Sequence, residues 1–436
     1  MLKQPHGSAE AIPPVGSAAY EKLIKRQILG RPQEALVRFA KGMGDLCLAE
    51  ILALLATLKV DGADQPQCQL TPTSIAITQV SLRTLVSLTA LLTTAREVLW
   101  MVGSGRAGSI GEIKDRCAAV PWPLLLTRGT SIGLRVASTS SHVFHEGKVA
   151  ELVGKALAKH GIGEVPKVSA RQLLDVRLVD DRIAFALSLA GRPLYQRHYK
   201  KALAGTATVK EDIAAACIQA TLRFATEHQG ASYQPGRILV PFAGSGTLGF
   251  EAAIALHRIP PWIFFGPLGA EAFPCIPQAT MNFMRRASLT KMQEAEDRHL
   301  EVTFIDDDAA QVEALRINAA NFNDHVTATG GEASTFTIIH SDFFECTWPA
   351  GDGHLFIALN PPFGLRLEDR AAVDRLYPRL AKTISGAPGA LAGFVLAPTE
   401  AVAQRFASGL KDMTTQRRPF NHGGRTVYLV MFSRAT

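Results

Sequence analysis

The chain lacks any apolar run long enough to cross a bilayer, since none of its hydrophobic stretches reaches the ~18–20 residues a spanning helix needs. Cysteine is scarce. The six residues (Cys47, Cys68, Cys117, Cys217, Cys275, Cys346) are scattered without a C-x-x-C pair. They give neither a zinc signature nor a disulfide framework, and they point to a reducing compartment, cytoplasmic or mitochondrial. The motif G-x-x-x-x-G-K-[ST] is missing, which excludes a P-loop. Internal repeats and low-complexity tracts are absent too. The first 35 residues hold no secretory apolar core and show no clear apolar periodicity. With Arg26, Arg31 and few acids, residues 1–33 read as an extension, disordered or targeting.

What remains is a folded, soluble type of composition: 436 residues, 47% hydrophobic, mean hydropathy +0.10. That length predicts two or three domains. The net charge is +7 and the pI about 9.1. Between Leu125 and Lys210 there are fourteen Lys or Arg against six Asp or Glu, a net of +8, so the rest of the chain is close to neutral. Such concentration favours a polyanion, most simply nucleic acid, although a solvated basic face gives the same count.

Apolar spacing divides the chain. Residues 34–122 form a first unit, with a helix at 45–58, a strand at Ser74–Val80 and helical character from Leu82 to Leu99. Residues 123–204 form a second, with a strand at 131–137, a helix at 148–159 and two strands joined by the turn Asp180-Asp181. Gly205 to Thr208 reads as a hinge. From 205 to 436 strands and helices alternate, which predicts a mainly parallel, doubly wound sheet.

Three segments of this last unit carry chemistry. Ile238 to Thr247 is a strand running through Pro241, Phe242, Ala243, Gly244, Ser245 and Gly246 into a helix. Its glycines permit positive φ and close backbone approach, and the helix start favours an anionic group. Gly244, Gly246 and Gly249 also satisfy G-x-G-x-x-G, a weak pattern that leaves a nicotinamide-dependent oxidoreductase as a formal alternative. Asp306, Asp307 and Asp308 end the next strand. An acid there suits two ribose hydroxyls, while one of the three suits a helix cap. Asp342, before Phe343, follows a further strand and can accept from an adenine amino group or cap a loop. Finally Asn360-Pro361-Pro362-Phe363 closes the apolar run 354–359. Two prolines make a stiff exit from the sheet. The Asn360 amide oxygen and the Pro361 carbonyl can accept both N–H bonds of a base amino group, and Phe363 offers a face to stack on. The plain alternative is a Pro-Pro turn with Phe363 buried.

With these segments in place the chain resembles the THUMP-domain RNA methyltransferases over about residues 34–434. That family's D-P-F-C-G-S-G-T is matched at six of eight places by Val240 to Thr247, with Val240 and Ala243 departing. Its D-x-D and A-R-x-N-A motifs are similar to Asp306–Asp308 and Leu315–Ala319, and N-P-P-[YF]-G-x-R is met by Asn360 to Gly364 and Arg366. Leu376-Tyr377 recurs at the later place. Ala207 to Glu211 is similar to A-P-L-K-E, while Phe144-His145-Glu146-Gly147 and Gly191 to Arg197 look like the THUMP landmarks.

The resemblance implies a Rossmann-like methyltransferase domain behind a ferredoxin-like region and a THUMP domain. It implies transfer from S-adenosylmethionine to a base amino nitrogen, usually guanine N2, in tRNA or ribosomal RNA, with no metal and no membrane. Asn360, Pro361 and Phe363 would act at the base. Pro241, Phe242, Gly244, Ser245, Gly246, Thr247, Asp306, Asp308, Asp342, Phe343 and Asn360 would hold the cofactor. His145, Lys148, Arg197, Lys200, Lys201 and Arg366 would meet RNA. The runner-up is a catalytically silent RNA-binding assembly factor that kept the fold, motivated by Val240 in the place of the family acid.

Overall fold

The computed structural model describes residues 13–58, 65–167, 169–203, 209–230, 233–294, 300–349, 353–363 and 370–435. Two sheets organise them. Strands β1 (Gln33–Phe39), β2 (Gln67–Leu70), β3 (Ser74–Val80), β4 (Ala95–Arg106), β5 (Ser131–Thr139), β6 (Gly163–Glu164), β7 (Leu173–Val179) and β8 (Arg182–Ser188) form the first, in the order β2-β3-β1-β4-β8-β7-β5-β6. The strands of 34–122 and 123–204 are thus joined through antiparallel pairing of β4 with β8, from Leu99↔Ser188 to Arg106↔Arg182. The Asp180-Asp181 turn forms as expected, both residues having positive φ (48° and 56°), which matches the twist of a tight hairpin.

The second sheet contains β9 (Pro235–Pro241), β10 (Glu301–Asp306), β11 (Thr335–His340), β12 (His354–Leu359), β13 (Leu391–Ala397), β14 (Thr414–His422) and β15 (Arg425–Arg434), ordered β11-β10-β9-β12-β13-β15-β14. Strands β9 to β13 are parallel, and β15 and β14 add antiparallel partners at one side. Central strands such as β13 are buried on both faces, so they read as unbroken apolar runs. The order reverses between β9 and β12. That reversal opens a crevice at the carboxyl ends of these two strands.

The structure corrects several sequence expectations. The stretch that showed no clear periodicity forms a helix, Ala18–Ile24, continued by a π-helical turn, Lys25–Leu29. Tyr20, Ile24 and Ile28 recur every fourth residue and are buried in the first core. The stretch 82–99 is not one helix: Leu82–Leu91 is helical, but β4 begins at Ala95. Strand β14 and the helix Gln278–Gln293 were not anticipated. The Gly205–Thr208 hinge lies outside the described residues.

The two halves share cores. Ala40, Met43 and Leu46 pack into the cluster of the second half, while Phe265, Phe273, Met281 and Met284 pack into that of the first. No described helix is long and apolar enough to cross a membrane.

Candidate active site

The glycine turn follows β9 directly. Phe242, Gly244 and Gly246 have φ of +55°, +53° and +91°, so every second residue is left-handed. For Phe242, a bulky residue, this is stored backbone strain of the kind that persists at ligand sites. The three glycines do different work. A Cβ on Gly246 would lie 2.4 Å from Leu315 Cδ1 and 2.5 Å from Phe250 Cε2, and one on Gly249 would lie 2.2 Å from Phe304 Cε1. These two let the helix Thr247–Leu256 close onto its neighbours. Gly244 differs, because its Cβ would meet only Gln311 Oε1 at 3.8 Å. Its open face allows a ligand to approach the backbone.

Asp306 ends β10. Its Oδ2 accepts from the Gly244 N–H at 2.8 Å and its Oδ1 from the Asp308 N–H at 3.1 Å. The carboxylate fixes the turn, and each oxygen keeps a lone pair for a further donor. Asp308 is exposed and caps the helix Ala309–Thr327, accepting from Ala310 N at 2.8 Å. Its oxygens are committed chiefly to the helix. Asp342 accepts from Phe344 N at 2.9 Å and starts a short helical turn. Phe343 is buried and meets Phe242 edge-on, ring centroids 6.2 Å apart. Pro241 and Thr247 are buried and Ser245 is 2% exposed, so these hold the turn's shape.

Across the crevice, Asn360 is half-buried at the end of β12, Pro361 is buried and Pro362 exposed. Phe363 is half-buried against the same core as Phe250 and Phe304. Gly364 and Arg366 lie outside the described residues. Val240 is completely buried in that apolar core, paired with Phe304 across β9 and β10.

The residues expected to meet RNA separate into two groups. His145 is exposed at the start of the helix Glu146–Ala158, its ring centroid 4.0 Å from that of Phe144, which is itself 65% exposed. Lys148 and Lys155 lie on that helix and both pair with Glu151, at 2.9 and 2.5 Å. The two ammonium groups hold the Glu151 carboxyl down at about 2. Arg197 has to be corrected. It is 2% exposed, ion-paired with Glu251, and donates to the Thr93 carbonyl at 2.8 Å. Burial lowers its pKa, the acids around it opposing. Arg197 is an internal strut between the halves and cannot present its guanidinium to RNA. Lys200 is largely buried and paired with Glu211 at 2.9 Å, whereas Lys201 is exposed.

Two asparagines that carried no assigned role turn out to organise the connection between the halves. Asn318 Oδ1 accepts from Lys201 N (2.8 Å) and Ala202 N (2.9 Å), while its Nδ2 donates to Ala202 O (2.9 Å) and Ser245 O (3.1 Å). One buried amide therefore ties the connecting segment to the glycine turn. Asn321 Nδ2 donates to His198 O and Tyr199 O at 2.6 and 3.0 Å. Their spacing on one helix was visible, but their partners lie far away in sequence. Among the described residues no group of three or more His, Cys, Asp or Glu is placed to hold a metal.

Known proteins resemble this chain in sequence and in fold. The family described as RMKL-like, methyltransferase domain matches residues 197–425, over half of the chain. A Bacillus subtilis (strain 168) protein with the provisional name RNA methyltransferase YpsC is 26% identical over 295 residues, covering 66% of this chain and 70% of that protein. Ribosomal RNA large subunit methyltransferase K/L of Saccharophagus degradans is 24% identical over 299 residues, 66% of this chain but 38% of that longer protein. Among solved structures, SMU.472, provisionally assigned as a methyltransferase and complexed with SAH, superposes with a TM-score of 0.74 over 93% of this chain and 99% of its own, at 21% identity. At that identity the likeness establishes the fold.

Proposed function

Because the chain belongs to the RMKL-like methyltransferase family, we propose that it methylates an exocyclic base amino group, guanine N2, in structured tRNA or ribosomal RNA. The cofactor is S-adenosylmethionine, which supplies an electrophilic methyl group when bound. The residues present fit it: Gly244 leaves an open backbone face, Asp306 keeps lone pairs for two ribose hydroxyls, and the helix starting at Thr247 offers N–H groups. Asp342 accepts from the adenine amino group, and Phe242 and Phe343 wall the pocket.

An aromatic amine is a poor nucleophile because its lone pair is delocalised into the ring. Asn360 Oδ1 and Pro361 O accept its two N–H bonds, which favours a pyramidal nitrogen with its lone pair aimed across the crevice. Phe363 stacks on the base. This is positioning with electrostatic help, and no strong base is required. Residues 123–204 serve as the THUMP-like, RNA-binding part, behind the ferredoxin-like region 34–122.

The observation that carries this reading is the meeting of the glycine turn and Asp306 with Asn360-Pro361-Pro362-Phe363 at the reversal between β9 and β12. Asn360→Ala is expected to lower methyl transfer to bulk RNA by at least about 100-fold. Cofactor and RNA affinities should stay within a few-fold. Mass-spectrometric nucleoside analysis of the product separates guanine N2 from other amino positions. Full turnover in the mutant sinks the role given to Asn360. Absence of cofactor binding at millimolar concentration, by calorimetry, would make the chain an RNA-binding assembly factor instead.

A further inference from the structure

A second concave site lies away from the crevice, where the segment joining the halves crosses the helix Ala309–Thr327. It is a cleft of about 550 Å³ lined by His198, Lys200, Lys201, Asn321, Asp324, His325 and Ala328. Its floor is rigid. Asn318 grips the backbone of Lys201, and Asn321 grips the carbonyl of His198. Side chains at the rim are therefore presented from fixed positions.

The charges around this cleft do not balance. Arg192 Nη1 lies 2.8 Å from His198 Nε2, and a guanidinium can only donate, so that imidazole nitrogen accepts and His198 is neutral. The other terminal nitrogen of Arg192 reaches the Pro267 carbonyl at 3.4 Å, which brings no negative charge. Burial lowers the Arg192 pKa, and nearby Arg171 lowers it further. Lys201 is exposed at the rim and its charge depresses His325, after burial. Lys200 differs from these, since Glu211 already neutralises it. Asp324 is the one carboxylate lining the cleft among the described residues. Lys201 on the lining and Arg192, held against the lining residue His198, thus stand against one acid. An excess of positive charge at a concave place is relieved by an incoming anion.

We propose that this cleft holds the phosphodiester backbone of the substrate RNA, with Lys201 and Arg192 as the phosphate-binding groups. The inference rests on the RNA reading of the crevice and adds a site outside it. Lys201 is one residue from Ala202, which shares Asn318 with Ser245 of the glycine turn. RNA seated here therefore has a fixed relation to the pocket where its base is methylated.

The test is salt-dependent binding of bulk tRNA to the full chain. In Arg192→Gln/Lys201→Gln the slope of log K against log salt should shrink by about 1.4 to 1.8, the loss of two phosphate contacts. Affinity at moderate salt should fall about tenfold or more. Lys201→Gln alone changes one exposed residue and keeps the His198 and Pro267 contacts, so it covers the case in which losing Arg192 disturbs folding. It should shrink the slope by about 0.7 to 0.9, the loss of one phosphate contact. Lys148→Gln/Lys155→Gln, whose charges Glu151 already engages, should change the slope less. An unchanged slope in folded Lys201→Gln overturns the proposal. Wild-type methyl transfer, measured alongside, reports on the crevice reading separately.

Discussion

The junction between the two halves and the crevice of the second sheet are both built from charged and glycine-rich motif segments, yet they are finished in opposite ways. At the junction the charged groups are paired with others from the same chain, although Arg197 Nε and Asp212 Oδ1 stay without a hydrogen-bond partner. Glu50 accepts from the backbone and hydroxyls of Thr93 and Thr94 and from Gln219. Arg96 pairs with the completely buried Asp212 at 2.6 Å, and Glu251 takes both Arg197 and the Tyr199 hydroxyl. In the crevice, Gly244 has an open face, Asp306 has spare lone pairs and Phe242 holds a strained φ. A network of charges paired within the chain rigidifies, while groups left open at a crevice wait for a ligand. Charge in a sequence therefore says little about its use until its partners are known.

The largest effect should come from attacking the paired side. Arg197→Ala leaves Glu251 buried without its cation, and removing one partner of such a pair costs about 3–5 kcal/mol. Urea unfolding should show that loss. RNA affinity at temperatures where the variant is folded should be nearly unchanged. If Arg197→Ala instead kept full stability and lost RNA binding, the contrast between junction and crevice would collapse.

A smaller pair of substitutions sharpens the contrast inside the glycine turn itself. Gly246→Ala drives a methyl into Leu315 and Phe250 at a positive φ, so about 2–4 kcal/mol of stability should go. Gly244→Ala meets open space, so backbone strain of about 1 kcal/mol is the whole structural cost. Its cofactor affinity should nevertheless fall clearly, because the new methyl occupies the ligand's approach. Differential scanning fluorimetry with and without S-adenosylmethionine reads both. Equal thermal losses in the two variants would show that Gly244 is a packing glycine like its neighbours.

The crevice was legible because its signals are local. Parallel strands buried on both faces appear as continuous apolar runs, and Gly244 to Thr247 and Asn360 to Phe363 each fit within one turn of chain. What failed depended on distant partners. Arg197 sits in a basic stretch, and only Glu251 on a helix of the other half turns it inward. β4 merged with the preceding helix because Val86, Leu88, Leu92, Val98 and Leu99 are apolar under either period. β14 escaped notice because it is an edge strand with a single buried residue, carrying Arg417, Arg418 and Pro419, the composition that edge strands use against further pairing. Asn318 stood in a recognisable motif, but its four hydrogen bonds go to Lys201, Ala202 and Ser245, which no spacing rule brings together.

The smallest expected effect concerns protons at the cleft, which lies between the paired and the open extremes. Burial lowers the pKa of His198, with Arg192 and His325 adding to it, and burial and Lys201 lower His325 against the opposing pull of Asp324. A base whose folded pKa is depressed favours folding only while neutral. Its contribution is complete above the unfolded value of about 6.5 and is lost as the pH falls through that value toward the folded one. Ring proton NMR should place both transitions below about 6.5 in the free protein. If the cleft takes phosphates, bulk tRNA should move both upward, because a nearby anion favours the imidazolium and offsets Arg192 and Lys201. Transitions that start low and stay fixed when tRNA is added would class the cleft with the junction, as a place where the chain has already answered its own charges.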